Sequence, residues 1–197
     1  MGKLGRRALV LLVACLSLFV IAACGGDDDG DSGDSGSGEG KKGGSITISQ
    51  TSQPDYMDPA LTYTVNGIEP LWLVYTPLIT YAREEGQGGS KLIPGLAEDL
   101  PEISDDGLTY TLKLREGLKY SDGTPVKAAD FEHAIKRVLN LESGGTAFYL
   151  VIEGAQDYLD AGKAEGDISD IETDDQTGDI TITLTEPDGS FTHVLDM

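Results

Sequence analysis

The sequence predicts an α+β fold, and three observations carry that prediction. Two segments alternate apolar and polar residues as strands do, Leu108 to Leu114 and Ile180 to Leu184. Between them, Phe131 to Leu139 and Gly145 to Asp160 place apolar residues at the three-and-four spacing of a helix. Both strands also keep a polar face, which marks an antiparallel sheet wet on one side.

The chain opens on a basic head, Lys3, Arg6 and Arg7, followed by an uncharged apolar run from Ala8 to Ala23. That is the layout of a secretory signal peptide; a membrane-spanning helix needs about 20 apolar residues, so the run is short for one. Ile21-Ala22-Ala23-Cys24 resembles the lipobox of bacterial lipoproteins, in which the thiol is lipidated and the cysteine becomes the first residue after cleavage. Leu12-Val13-Ala14-Cys15 fits the same short pattern, but cleavage there would leave Leu16 to Ala23 as an apolar overhang. Residues 1–23 therefore read as a lipoprotein signal peptide and Cys24 as the lipidated residue.

Residues 24–44 read as its tether. After Cys24 the segment holds glycine, aspartate, serine, lysine and glutamate and no larger apolar side chain. It cannot bury enough surface to offset its chain entropy, and as a coil it spans roughly 25 Å. It is not a calcium loop. Counting back from Gly30 puts Gly25 where the first carboxylate of an EF-hand belongs.

Residues 45–197 are enough for one core. Ser45 to Ser49 alternates and predicts a short strand, after which Pro54 and Asp58-Pro59 impose a loop. Ile68, Leu71, Trp72 and Tyr75 recur at helical spacing, which predicts a helix with its aromatics in the core, closed by Pro77. Leu78 to Ala82 predicts a strand before the glycine-rich loop Gly86 to Gly89. Asp106-Gly107 predicts a tight turn into a strand with Leu108, Tyr110, Leu112 and Leu114 on one face. Thr109, Thr111, Lys113 and Arg115 take the other.

Turns at Gly117 and at Asp122 to Pro125 lead to a helix with the stripe Phe131, Ala134, Ile135, Val138 and Leu139. Its acids Asp130 and Glu132 come early and Lys136 and Arg137 later, the order that suits the helix dipole. A second helix, Gly145 to Asp160, presents Phe148, Ile152, Ala155 and Leu159. A hairpin follows, with Ile180, Ile182 and Leu184 inward and Thr181, Thr183 and Thr185 outward. Phe191, Val194 and Leu195 begin a further element.

Charge and composition exclude several functions. The formal net charge is −20, and it is −23 beyond the three basic residues that precede Cys24. Such a surface repels phosphate, and no basic stripe offsets it, so no nucleic-acid partner is expected. Cys15 and Cys24 are the two cysteines, so the folded part has neither a disulfide nor a thiolate metal site. His133 and His193 stand far apart and no HExxH occurs, so no metal is assigned. No nucleophile elbow is present, and "GEGKKGG" lacks the spacing of a phosphate loop. The reading is a protein that is not an enzyme and needs no cofactor.

The order of pieces carries a resemblance. "IPGLAEDLPEISDDGLTYTLKLREGLKYSDGTPVKAADFEHAIKRVL" resembles the N-terminal block of the bacterial extracellular solute-binding proteins of the oligopeptide/dipeptide/nickel type. "QPDYMDPALTYT" is similar to that family's early loop, and "AGKAEGDISDIETDDQTGDITITLTEPDGSFTHVL" to a later stretch. Tyr120 stands where the family usually has Phe or Trp. Lys127 stands where Thr or Ser often caps the helix, and it offers no acceptor, a weakening of up to about 1 kcal/mol.

The resemblance implies that residues 45–197 form a partial N-terminal solute-binding lobe of a two-lobed, periplasmic-binding-protein-like (class II) fold. A typical member is much longer, so an N-terminal fragment is implied. By position, Tyr63, Thr64, Val65 and Asn66 match the family loop that reaches the ligand cleft. The function implied is that of a lipid-anchored substrate-binding component of an ABC importer, for oligopeptides, dipeptides or another small solute. Its partners would be the importer's membrane subunits and, through the lipid, the outer face of the bacterial cytoplasmic membrane. The competing readings are a lipid-tethered surface interaction protein without a solute and an exported hydrolase built on paired carboxylates.

If Cys24 carries the lipid, Cys24→Ala abolishes fatty-acid labelling and moves the chain from the membrane to the soluble fraction or leaves its signal uncleaved. Labelling that survives Cys24→Ala and is lost in Cys15→Ala would assign cleavage to the earlier cysteine.

Overall fold

The computed structural model describes residues 43–162 and 166–197. The signal peptide, Cys24 and all of the tether before Gly43 lie outside them. By its internal contacts the chain divides into Met1–Thr47 and Ile48–Met197, and every regular element described belongs to the second unit.

Among the described residues, two antiparallel sheets and five short α-helices make up that unit. Helix α1 is Val65–Leu71, and the first sheet pairs β1, Ile79–Tyr81, with β2, Leu92–Pro94. A second sheet holds β3 (Glu102–Ile103), β4 (Thr109–Lys113), β5 (Ile171–Thr173) and β6 (Asp179–Thr183), in the order β3-β4-β6-β5. Between β4 and β5 run α2 (Ala129–Asn140), α3 (Thr146–Tyr149) and α4 (Ala155–Asp160), and α5 is Phe191–Val194. The α+β class is as expected.

The β4–β6 ladder sets the core. Its register places Tyr110 opposite Ile182 and Leu112 opposite Ile180, and all four side chains are buried. Leu114 and Leu184 extend the same face, while Thr111 and Lys113 are exposed on the other. Ile135 and Leu139 of α2 pack into this cluster, with Phe131 and Val138 half-buried at its margin. Phe191 meets the Tyr110 ring edge-on at 5.0 Å, and the Tyr110 hydroxyl donates to the Asp188 carbonyl at 2.9 Å. The element foreseen at Phe191 is thus α5, which closes one end of the core.

Several expectations are corrected. Ser45–Ser49 is not a strand: no strand of the described residues pairs with it, and Ile46 is 83% exposed. A period of two makes a strand only where an edge receives its hydrogen bonds. Trp72 and Tyr75 are not core residues but 51% and 53% exposed. Helix α1 ends at Leu71, so the spacing that would carry Tyr75 inward is lost, and of the predicted four only Leu71 is buried. The Gly86–Gly89 loop is a 3₁₀ turn, Gly86–Ser90. Ala134 faces solvent and does not belong to the α2 stripe.

The second predicted helix is two. Gly154, at φ 80°, separates α3 from α4, and a Cβ there would lie 2.4 Å from the Ser169 hydroxyl. The intervening Val151–Glu153 pairs with the end of β6: the Glu153 amide donates to the Thr183 carbonyl and the Thr185 amide to that of Val151. Sheet bonds replace helix bonds here, and the inward residues become Tyr149, Ile152, Ala155 and Tyr158 in place of Phe148 and Leu159.

The expected weak start of α2 is compensated from elsewhere. No side chain caps Ala128, but Asp130 accepts from the Lys127 amide at 2.8 Å and Asp175 accepts from the Ala129 amide at 3.0 Å. The Lys127 ammonium, 3.5 Å from Asp175, helps hold that acceptor in place.

Leu112→Asp or Ile135→Asp would bury an unpaired charge and cost several kcal/mol or unfold the unit, whereas Lys113→Asp changes stability by less than about 1 kcal/mol. Urea unfolding of the three variants measures this, and equal costs on the two faces would refute the register.

Candidate functional site

The loop that leads into α1 is tied down by one carboxylate. Asp55 accepts from the Thr62 hydroxyl at 2.6 Å, the Thr64 hydroxyl at 2.8 Å, and the Tyr63 and Thr64 amides at 2.8 and 3.2 Å. The Thr62 hydroxyl and then the Tyr63 amide hold its pKa well below the ordinary carboxylate range. Thr64 is the N-cap of α1. Its one hydroxyl proton goes to Asp55, which leaves a lone pair to accept from the Gly67 amide at 3.3 Å. Gly67 leaves room for this network: a Cβ would sit 1.8 Å from the Thr62 hydroxyl oxygen and 2.4 Å from Asp55 Oδ1, so both side chains would have to shift.

A second repair lies one turn on. Pro70 sits inside α1 and has no N–H to give to the Asn66 carbonyl. The Gln50 amide takes its place, donating to that carbonyl at 2.9 Å and to Glu69 at 3.3 Å. The Asn66 side-chain amide in turn donates to the Ser52 carbonyl at 3.2 Å and to the Ser52 hydroxyl. The segment 50–52 is therefore bound to α1 although it has no regular structure.

Asp58 ties the loop to α2. Both its oxygens meet the Arg137 guanidinium, at 2.6 and 2.5 Å, and Oδ1 also accepts from the Ala60 amide. The Arg137 hydrogen bonds are the largest influence holding the Asp58 pKa below its ordinary value. The Tyr63 ring lies over Gly144, where a Cβ would come within 2.9 Å of it, and 6.2 Å from the Phe148 ring.

The four residues singled out in the sequence thus lie together but play different parts. Tyr63 and Val65 offer their side chains to solvent, 49% and 69% exposed. Thr64 and Asn66 spend their polar groups on Asp55, Gly67 and Ser52. Sequence reading passed over Asp55, Gln50, Gly67, Arg137 and Phe148 as parts of this site. Asp58-Pro59 was a visible signal, but the partner of Asp58 lies 79 positions away. Among the described residues no group of histidine, cysteine and carboxylates could hold a metal, and no helix is long and apolar enough to cross a membrane.

Comparison with known proteins gives the family. The family model described as bacterial extracellular solute-binding proteins, family 5 Middle, matches residues 91–197. The oligopeptide-binding protein OppA of Bacillus subtilis is 30% identical over 195 residues, 96% of this chain and 33% of its own. The dipeptide-binding protein DppE of the same organism is 28% identical over 152 residues, 76% of this chain and 26% of its own. Among solved structures, clavulanic acid biosynthesis oligopeptide binding protein 2 matches with a TM-score of 0.67 at 32% identity, over 74% of this chain and 27% of its own. Haemophilus influenzae OppA in complex with RPPGFSPFR matches with a TM-score of 0.60 at 28% identity, over 73% and 27%.

The chain belongs to the family 5 bacterial extracellular solute-binding proteins, a family of binding proteins and not of enzymes. Its fold is an α+β portion of their lobed architecture. It spans about a quarter to a third of the length of these relatives.

The Asp58–Arg137 pair generates a pH-dependent prediction. Both side chains are partly exposed, so Arg137→Leu costs about 1 kcal/mol at neutral pH, less at high salt. The folded Asp58 has the lower pKa, so its contribution is whole above the unfolded value, 3.8, and is lost as pH falls through the folded one. Urea unfolding of both proteins at neutral pH and at successively lower pH tests this; a difference that persists unchanged under acid would show that the arginine acts by packing alone.

Proposed function

We propose that the chain forms one wall of the ligand cleft in a lipid-anchored, peptide-binding receptor of an ABC importer, held at the outer face of the bacterial cytoplasmic membrane. The observation that carries this reading is the segment Thr62–Asn66, the end of a loop and the first residues of α1, anchored by Asp55 and Asp58, which leaves the side chains of Tyr63 and Val65 exposed. Its relatives support the ligand class. Those above are named for dipeptides and oligopeptides, one is solved with a nonapeptide, and a Bacillus anthracis oligopeptide ABC transporter substrate-binding domain matches with a TM-score of 0.60 at 25% identity.

In such a receptor two lobes close on the ligand, and closure is favoured because both touch it. Peptides are held through backbone hydrogen bonds and terminal charges, while exposed tyrosine and valine side chains supply contact that tolerates many partners. The lipid at Cys24 and the tether behind it would keep the lobe near the importer's membrane subunits. The run Trp72, Leu73, Val74 and Tyr75, all exposed, is the kind of surface that lies against further protein. It supports the reading of this chain as the N-terminal part of a longer receptor.

One wall leaves a peptide mostly hydrated while it still loses its freedom. Isothermal titration of the full chain in mild detergent should therefore show no saturable binding of mixed peptides at micromolar concentration. At millimolar concentration the same peptides should shift the amide signals of Tyr63 and Val65. Shifts confined to other surfaces would refute the cleft assignment, and saturable low-micromolar binding by a monomer would make this lobe a receptor in its own right.

A further inference from the structure

We infer that Asp55 is the positioning residue of this wall: its carboxylate, not the helix itself, fixes the backbone that presents Tyr63 and Val65. The inference rests on the cleft reading above and adds to it a residue that acts through others. Four donors converge on the one carboxylate, two of them main-chain amides of the presenting segment. Helix α1, Val65–Leu71, is too short and too interrupted by Pro70 to define its own entry. Without Asp55, the Tyr63 and Thr64 amides have no acceptor within the loop, and the Thr64 hydroxyl is free to rotate away from Gly67.

The same contacts determine what the wall does not do. The amides of Tyr63 and Thr64 are already occupied by the protein's own charge, on Asp55. A peptide's C-terminal carboxylate therefore finds those two amides taken, and the side chains of Tyr63 and Val65 remain as exposed contacts. Gly67 belongs to the device, because any side chain at that position would enter the space shared by Thr62 and Asp55.

The test compares the full chain in mild detergent with Asp55→Asn and Gly67→Ala, by amide hydrogen exchange, acid titration and millimolar peptide shifts in NMR spectra. In the wild type the Tyr63 and Thr64 amide signals should titrate with a midpoint below 3.8, and Asp55→Asn should abolish that titration. Both variants should exchange the Tyr63 and Thr64 amides about tenfold faster, the effect of losing one charge-assisted hydrogen bond, with the β4 amides unchanged. Peptide shifts at Tyr63 and Val65 should fall with them.

Unchanged exchange and titration in Asp55→Asn would overturn the inference, as would peptide shifts that persist undiminished when exchange has risen. If wild-type peptide shifts map elsewhere, the cleft reading fails, and Asp55 is no positioning residue for a ligand even where the exchange result stands. Gly67→Ala keeps the carboxylate and displaces it, so it separates lost position from lost charge should Asp55→Asn fold poorly.

Discussion

The antiparallel pairing of β4 with β6 is the constraint on which the rest of the unit depends. Register is all-or-none in such a ladder, since a slip of one residue would turn the whole inward set of one strand, Tyr110 and Leu112 or Ile180 and Ile182, to solvent. With that register fixed, one apolar face is presented, and α2, Ile152, Tyr158 and Phe191 can be buried only against it. The strands come from segments about seventy residues apart, so helices α2, α3 and α4 are contained in the loop that the ladder closes. Gly154 breaks a helix that its own spacing would have continued, because Val151–Glu153 finds sheet partners in Thr183 and Thr185.

The candidate site is held by different physics. Little of the loop from Gln50 to Thr64 is buried, and burial does not fix its shape. Carboxylates do: Asp55 within the loop, and Asp58 across to Arg137. Each accepts several donors, which an exposed backbone segment needs if it is to hold one conformation without a core beneath it. The chain's excess of acids is commonly read as solvation. At Asp55, Asp58, Asp130 and Asp175 the carboxylates instead take up the amides and guanidinium that loops and helix starts leave unpaired.

The family gives this arrangement its meaning. A solute-binding lobe must present a surface that is firm before the ligand arrives, since each group ordered on binding subtracts from affinity. On the cleft reading proposed above, Tyr63 and Val65 sit on such a surface, and the Tyr63 ring lies against Gly144 of the α2–α3 connection and near Phe148 of α3. In the consecutive exposed run from Trp72 to Tyr75, the Trp72 carbonyl accepts from Arg83 at 3.0 Å.

Sequence by itself determined the fold class, the inward face of β4 and β6, the place of α2 and the loop that carries the candidate residues. Those features are local: alternation, helical spacing and proline act within a few residues of the chain. The family resemblance was legible for the same reason, in the order of such pieces. Only the tertiary structure decided that Ser45–Ser49 has no strand partner, that Trp72 and Tyr75 face outward, and that the helix from Gly145 is broken. It also decided which side of the presenting loop is free, by sending Thr64 to Asp55 and Asn66 to Ser52. Each of those outcomes is a competition between local preference and a partner distant in sequence, and no periodicity in the chain records which partner arrives.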